Sequence, residues 1–505
     1  MADSKREIER KYEATAETRL PDLSRVAGVS AVVHRGVGDL DAVYYDTEDL
    51  RLAGGSVTLR RRTGGSDAGW HLKFPVSSGI RDELREPLSD TLPRSLAALL
   101  RSRVRESGLV PVVRLRTARD VHHLVGAEDA LLAEVAVDTV RADRLTGGSG
   151  TAAWTEIEVE LADDGDPAFL DLVERRLRKA GIRPSAAPSK LARALAETAP
   201  ERSGSARRTG RPTAGDHVLA YVQEQTEAIV ALDPAVRRGL PDSVHQMRVA
   251  TRRLRSALRT YRKILDRDAT DPVGGELKWL AAELGIDRDQ EVLDARLRAR
   301  LDDLPRTLVL GPVRGRLRIW SAARRGGSRR RTVGVLDGKR YLALLESLDA
   351  LLAAPPLLPA ASRAPDRALP RAVLKEYERL AARAGHALEL PPGHDRDLAL
   401  HDARKAAKRA RYAAEAARPA LGRPAERFAE RMKALQTLLG DHQDSVVARD
   451  ALRTLAVQAH VAGEPAFTWG LLYGREEAAA AASERELPEV WRRASRPRLR
   501  AALEG

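Results

Sequence analysis

The 505-residue sequence has no cysteine, three methionines and few aromatic side chains, 4% of the total. The missing thiols exclude disulfides, thiolate metal sites and cysteine nucleophiles, and they suit a reducing compartment. Scarce aromatics leave core packing to Leu, Val and Ala and offer little surface for stacking nucleobases. No apolar run reaches the ~18 residues of a membrane span, and the charged N-terminal stretch lacks the apolar segment of a secretory signal. The expectation is a soluble cytoplasmic protein without a membrane partner.

Charge, by contrast, is plentiful: 86 Lys and Arg against 72 Asp and Glu, a net +14. It is unevenly placed. Residues 1–200 hold 30 basic and 32 acidic side chains, which leaves 56 and 40 for residues 201–505, or −2 against +16. The second part therefore suits a polyanion such as nucleic acid, an anionic membrane or polyphosphate. Periodicity changes at the same place. Residues 1–200 read as short alternating strands with a few helices, 201–215 as a Pro-, Gly-, Ser- and Arg-rich linker, and 216–505 as helix. A Pro-rich tract at 353–370 divides the helical part into halves of about 216–352 and 371–505, and further breaks are expected at 269–275, 324–332 and 390–397.

In the first part, Arg6 to Tyr12 reads as a strand, which puts Glu7, Glu9 and Lys11 on one face. Glu156, Glu158 and Glu160 alternate in the same way with Ile157, Val159 and Leu161. Charged side chains alternating with apolar ones on many strands predict a closed barrel with a polar lumen, covered outside by helices. Arg60, Arg62, Lys73, Arg81, Arg85, Arg114, Arg116 and Arg119 are candidates to point inward at phosphates, which the forked guanidinium binds in pairs of bonds. Facing them, Glu7, Glu9, Glu134, Asp138, Glu156, Glu158 and Glu160 would repel an anion unless a hard divalent cation, Mg2+ or Mn2+, sat between. Such a cation bridges phosphate oxygens and positions water for in-line attack. Lys11 would either contact phosphate or orient that water.

The helical part carries a repeat. His245-x2-Arg248-x3-Arg252-x2-Arg255 is matched by His401-x2-Arg404-x3-Lys408-x2-Arg411. Lys278-x6-Gly285-x3-Asp289 is matched by Lys433-x6-Gly440-x3-Asp444. The offsets, 156 and 155 residues, indicate a duplicated unit. His245, Arg248, Arg252, Arg255, Arg259 and Arg262 fall within an arc of about 100° on a helix, with Met247, Ala250, Leu254 and Leu258 opposite. The second helix puts Ala403, Ala406, Ala410 and Ala413 opposite its own basic stripe, which permits close helix contact. Like charges at i,i+3 and i,i+4 repel by a few tenths of a kcal/mol each. Two such stripes at matching positions favour a bound polyanion.

The motifs Glu7-x-Glu9-x-Lys11, Tyr45-Asp46-Thr47, Leu59-Arg60-Arg61-Arg62, Leu72-Lys73, Thr117-Ala118-Arg119, Asp138, Glu156-Ile157-Glu158-Val159-Glu160-Leu161 and Ser189-Lys190 together resemble the CYTH superfamily. These are the triphosphate tunnel metalloenzymes, which include class IV adenylate cyclases and thiamine and inorganic triphosphatases. The resemblance implies an eight-stranded antiparallel tunnel. Lys11, Arg60, Arg62, Lys73, Arg119 and Lys190 would bind phosphate, joined by Arg81 or Arg85. Glu7, Glu9, Asp138, Glu156 and Glu158 would hold metal, with Glu160 and Glu134 as further candidates.

The stretch His245 to Arg255 resembles the CHAD family, conserved-histidine α-helical domains. That implies two four-helix halves and polyphosphate binding in a basic groove, with Lys278, Lys405 and Lys433 as added contacts and Asp289 and Asp444 holding arginines. The fold class expected is thus α+β: an antiparallel β tunnel with flanking helices, then an all-α domain of two four-helix bundles. The function expected is metal-dependent hydrolysis of a triphosphate coupled to polyphosphate binding, with localisation to polyphosphate granules. A non-catalytic binder of polyphosphate and a cyclase are the alternatives, and nucleic acid is a less favoured partner.

Overall fold

The computed structural model describes residues 3–65, 67–199, 211–325 and 328–504. The chain forms two compact units, residues 1–208 and 209–505. Most of the expected linker lies outside the described residues.

The first unit is a closed antiparallel barrel of eight strands: β1 Asp3–Ala14, β2 Ala31–Asp46, β3 Thr58–Thr63, β4 Gly69–Ser77, β5 Ile80–Glu86, β6 Val110–Val125, β7 Leu131–Arg144 and β8 Thr151–Leu161. Around the barrel they run β1-β5-β4-β3-β2-β6-β7-β8. Closure depends on β1, whose first half (Asp3–Ile8) pairs with β5 and whose second half (Glu9–Ala14) pairs with β8. The expected strands are short, yet β2 runs unbroken through 16 residues.

Apolar side chains turn outward, where four helices cover them: α1 Arg51–Gly54, α2 Arg94–Val104, α3 Ala168–Lys179 and α4 Lys190–Glu197. Leu52, Leu59, Leu72, Leu84, Leu96 and Leu100 pack beneath α1 and α2. Tyr12, Leu124, Ile157, Val159, Leu170 and Val173 pack beneath α3. The Tyr45-Asp46-Thr47 motif is structural: the buried Asp46 carboxylate accepts from the N–H groups of Thr47, Leu52 and Ala53 at 2.7–2.9 Å, which fixes the turn into α1. Ser189 caps α4 by accepting from the Ala192 N–H at 3.1 Å.

The second unit is helical: α5 Ala214–Arg238, α6 Ser243–Thr260, α7 Arg267–Glu283, α8 Gly285–Asp302, α9 Val313–Arg325, α10 Ser328–Asp337, α11 Lys339–Ala353, α12 Pro365–Glu389, α13 His394–Leu421, α14 Arg423–Val461, α15 Phe467–Ala494 and α16 Pro497–Glu504. The helices α5 to α7 with α10 and α11 make one bundle, and α12 to α15 make the other. They share one continuous core that runs from Val218 and Leu254 to Leu400 and Leu439.

The helices α8 and α9 leave their own half to pack on α14 and α15, burying Leu297, Trp320, Leu452 and Trp469. There the fully buried Glu476 accepts from Arg296 and Arg300 at 2.6–2.8 Å. The expected break at 269–275 is helix, and so is the end of the Pro-rich tract: Pro272 and Pro370 are each the sixth residue of their helices, α7 and α12. A proline at the sixth position forfeits its bond to the carbonyl four residues back, and burial of Val273, Leu277 and Val373 offsets that loss.

The alanines of α13 are among the most buried side chains of the core, and Ala410 has no exposed surface. They let α13 approach its bundle neighbours α12 and α14 closely. Replacing Ala410 with Leu is expected to overpack this contact and cost about 1–3 kcal/mol. Urea denaturation followed by far-UV circular dichroism will read it as an earlier transition.

Candidate functional site

Strand alternation decides which charges enter the tunnel. Inside are Glu7, Glu9 and Lys11 from β1, Tyr44 from β2, Thr58, Arg60 and Arg62 from β3, and Lys73 from β4. Arg81 and Arg85 on β5, Thr117 and Arg119 on β6, Glu158 and Glu160 on β8, and Ser189 and Lys190 at the start of α4 complete the lining.

Two ion clusters fill the lumen. In the first, the Lys190 ammonium lies 2.9 Å from Asp138 and 2.8 Å from Glu156, and also pairs with Glu158. Arg119 donates two bonds to Asp138 at 2.7–2.8 Å and one to Glu158 at 2.6 Å. Lys11 joins Glu158 and lies 3.2 Å from Glu9. Burial alone would neutralise these groups, but the pairing prevails. Lys190 is held well above the usual lysine range by Asp138, Glu158 and Glu156. Glu158 is held well below the carboxylate range by Lys11, Lys190 and Arg119.

The second cluster surrounds Glu83, which is fully buried. It takes His71 at 2.9 Å, Lys73 at 3.4 Å and Arg60 at 3.7 Å, and it pairs with Arg85. Glu7 pairs with Lys73 and lies 3.5 Å from Arg85. Burial, then the neighbouring Glu83, push Glu7 up to about 7 despite the pull of Lys73. Arg62 is fixed by Asp67 at 2.5 Å. The buried Nε atoms of Arg60 and Arg62 have no hydrogen-bond partner in the structure.

The oxygens of Asp138, Glu156 and Glu158 lie within 4.8 Å of one another, and all three residues are buried. Three carboxylates with no nitrogen or sulfur donor suit a hard divalent cation. Glu156 is oriented from outside the cluster, accepting from the Trp154 indole N–H at 2.6 Å. The residues present therefore fit a divalent metal. Glu7 and Glu9 lie on the facing part of β1, and Glu160 pairs with Lys5 at 2.8 Å. Glu134 sits opposite Glu160 on β7 and 3.4 Å from His123.

Two candidates are corrected. Arg114 and Arg116 share a parity opposite to that of Thr117 and Arg119, so they face outward. There Arg114 pairs with Asp41, and Arg116 lies 2.8 Å from Asp143. Arg81 lines the lumen, although one of its guanidinium nitrogens donates to the Pro188 carbonyl at 2.7 Å. Sequence reasoning missed Glu83, Asp67 and His71. The signal for Glu83 was its place midway between Arg81 and Arg85 on one strand face.

In the helical unit, the stripes of α6 and α13 face each other. Arg248, Arg252, Arg404 and Arg411 are close enough to depress the ammonium of Lys408, which burial first and these four charges next push down to about 7. The repeated Gly and Asp explain how the arginines are held. Arg248 donates to Asp289 at 2.7 and 3.1 Å, and Arg404 approaches Asp444 at 3.9 Å. Each guanidinium lies flat on a glycine: a Cβ on Gly285 would meet Arg248 at 3.0 Å, and one on Gly440 would meet Arg404 at 3.4 Å.

Arg255 and Arg259 continue the stripe of α6, where each feels the other's charge. His245 stands at the start of the α6 stripe and His401 at the start of the α13 stripe. The remaining candidates do not join the cluster. Lys405 pairs with Asp402 at 3.1 Å, Lys433 lines a separate cleft between α14 and α15 beside Glu430 and Glu486, and Lys278 is exposed on α7.

A closed antiparallel barrel with an ion-lined lumen, followed by a duplicated helical bundle with a cationic seam, defines a two-domain class. The comparisons agree. The CYTH domain matches residues 5–195 and the CHAD domain matches residues 220–453. The chain belongs to the proteins that join a CYTH domain to a CHAD domain. It is 40% identical over 488 residues to the uncharacterized protein MT2285 of Mycobacterium tuberculosis (strain CDC 1551 / Oshkosh), covering 93% of this chain and 92% of that one. Among solved structures, it resembles PptA from Streptomyces chartreusis with a TM-score of 0.47 and 22% identity, over 56% of this chain and all of that one. It also resembles the CHAD domain from the plant Ricinus communis with a TM-score of 0.44 and 24% identity, over 61% and 97%. The CYTH family contains triphosphatases and cyclases that use divalent metals. Among the described residues, no helix is long and apolar enough to cross a membrane.

Two outcomes follow for the seam. A polyanion would favour the charged form of Lys408, so its binding would take up a proton, and affinity for a polyanion should rise as pH falls toward 7 and level off below it. Lys408→Arg, charged throughout, should flatten that dependence in calorimetric titrations. Gly285→Ala places a methyl 3.0 Å from the Arg248 guanidinium and should weaken polyanion binding several-fold, with unchanged helix content by circular dichroism.

Proposed function

We propose that the barrel hydrolyses inorganic triphosphate or a related short-chain triphosphate with Mg2+ or Mn2+, and that the seam between α6 and α13 binds polyphosphate. The observation that carries the first reading is the position of Lys190, whose ammonium sits among three carboxylates facing a wall of guanidinium groups. Both signs are gathered in one enclosed lumen, which is what an anion bound together with a cation requires. The ion at Asp138, Glu156 and Glu158 would supply neutralisation of phosphate charge and a more acidic water.

The chain's own side chains do the rest. Arg60, Arg62, Lys73 and Arg85 hold phosphoryl oxygens, with the unspent Nε donors of Arg60 and Arg62 contributing. Lys190 and Arg119 exchange carboxylate partners for phosphate oxygens as substrate enters. Lys11 stays charged beside Glu158 and Glu9, so it orients phosphate and water rather than removing a proton. Glu7 and Glu9 face it from the same strand and complete the charge balance of the reacting end. In the helical unit, Arg248, Arg252, Arg404, Lys408 and Arg411 form the core of the polyanion seat. It would raise the local concentration of substrate or place the enzyme at polyphosphate.

The test is phosphate release from tripolyphosphate by the full chain with each metal. Glu158→Gln should lower kcat at least about 100-fold, and Lys11→Ala should lower kcat with little change in KM. Absence of release with either metal across pH would leave a binding protein. Cyclic AMP formed from ATP would point to a cyclase instead.

A further inference from the structure

Away from the lumen and the seam, His34, Asp120 and His122 gather their ligating atoms within 4.8 Å of one another. They lie on the outer wall of the barrel, where β2 pairs with β6. Arg119 and Thr117 point inward, so Asp120 and His122 point outward, and His34 is directly opposite His122.

The alignment comes from a bulge. The register shifts between His34 and Gly36, and Gly36 takes a φ of +101°, a conformation that a side chain would strain. Arg35, the extra residue, turns its guanidinium to His123 Nδ1 at 3.1 Å and leaves the face of His34 clear of a competing cation. The imidazole centroids of His34 and His122 are 5.0 Å apart. The His34 Nε2 lies 2.7 Å from one Asp120 oxygen, and the His122 Nε2 lies 3.3 Å from the other.

A second cluster of this type, Asp397, His442 and Glu484, is already committed. Its imidazole is buried between the two carboxylates, which pair in turn with Arg449 at 2.8 Å and Arg396 at 3.2 Å. The cluster on the barrel wall is open to solvent, with side-chain exposures of 56%, 38% and 21% for His34, Asp120 and His122.

We propose that His34, Asp120 and His122 bind one borderline transition-metal ion of the Zn2+ class on the outer wall of the barrel. Two imidazoles and a carboxylate select such ions, whereas the all-oxygen set of the lumen selects hard ones. Donor atoms about 2.1 Å from a common ion stand within about 4 Å of one another. The present separations of the two imidazoles from Asp120, 2.7 and 3.3 Å, already lie within that span. Three protein ligands leave the remaining positions to water or an exogenous ligand, and the ion cross-links β2 to β6 where β2 is least covered.

The experiment uses the full chain without an affinity tag, stripped with chelator and titrated with Co2+ in excess Mg2+, which occupies the oxygen sites. Wild type should show one equivalent of Co2+ with the visible absorption of nitrogen ligation, displaced by Zn2+. His34→Gln and His122→Gln should each weaken this binding at least about tenfold, while Glu158→Gln in the lumen should leave it intact. Wild type without the band, or either histidine variant with the wild-type band and affinity, would overturn the proposal. Loss of the band in Glu158→Gln would move the ion to the lumen and overturn it equally.

Discussion

Closing an antiparallel sheet on itself obliges every second side chain to face inward, and in this barrel many of those side chains are ions. Each ion removed from water costs several kcal/mol unless a partner of opposite sign and further hydrogen bonds offset it. The lumen meets that requirement by mutual neutralisation: Lys190 among Asp138, Glu156 and Glu158 at one end, and Glu83 among His71, Lys73, Arg60 and Arg85 at the other. The apolar faces of the same strands are therefore free to pack outward under α1 to α4, and the usual inside-out order of a small barrel is reversed. The pairing that lets the fold bury its charges also stores, close together, the groups that an anion and a cation would need. A ligand entering such a lumen meets partners it can exchange rather than water it must displace.

The helical unit handles charge differently. Its seam gathers mainly positive charge, and the consequence shows in Lys408, which burial first and its charged neighbours next push down to about 7. Part of the repulsion is relieved at the edges: Asp289 and Asp444 take Arg248 and Arg404, and Glu415 takes Arg253 at 3.1 Å and Arg411 at 3.2 Å. The centre is left uncompensated. Gly285 and Gly440 give up helix propensity, about 1 kcal/mol each relative to alanine, so that two guanidinium groups can lie against backbone. These concessions occur at equivalent positions of both repeats.

Much of this was legible in the sequence, for identifiable reasons. Glu7, Glu9, Lys11, Glu158, Arg60 and Arg62 declared themselves because a period of two, read over several strands, has one sensible answer when both faces carry strong preferences. Arg114 and Arg116 were misread because Arg119 nearby has the other parity, and parity is assigned by register with β2 and β7 rather than by β6 itself. Glu83 was hidden by the two arginines flanking it. Pro272 and Pro370 were taken as helix breaks because a local rule was applied where burial of the following residues decides. Lys433 followed the repeat in sequence, yet α14 turns it toward α15. The cluster of His34, Asp120 and His122 needed a cross-strand partner and a bulge, and neither is written in either strand alone.

The two halves of the helical unit also show how a duplicated motif is kept while its scaffold diverges. The Lys-x6-Gly-x3-Asp pattern spans a break between α7 and α8 in the first half but lies within the single helix α14 in the second. The break falls at the seating glycine, so α8 can leave its own bundle and pack on α14 and α15, where Glu476 receives Arg296 and Arg300. That exchange joins the halves into one body, in keeping with the single core they share. Its consequence at the seam is asymmetry: Arg248, seated where α7 gives way to α8, donates to Asp289 at 2.7 and 3.1 Å, whereas Arg404, seated on an unbroken helix, stands 3.9 Å from Asp444. Where the backbone is interrupted the carboxylate must hold the arginine. Where the helix runs through, that hold is looser.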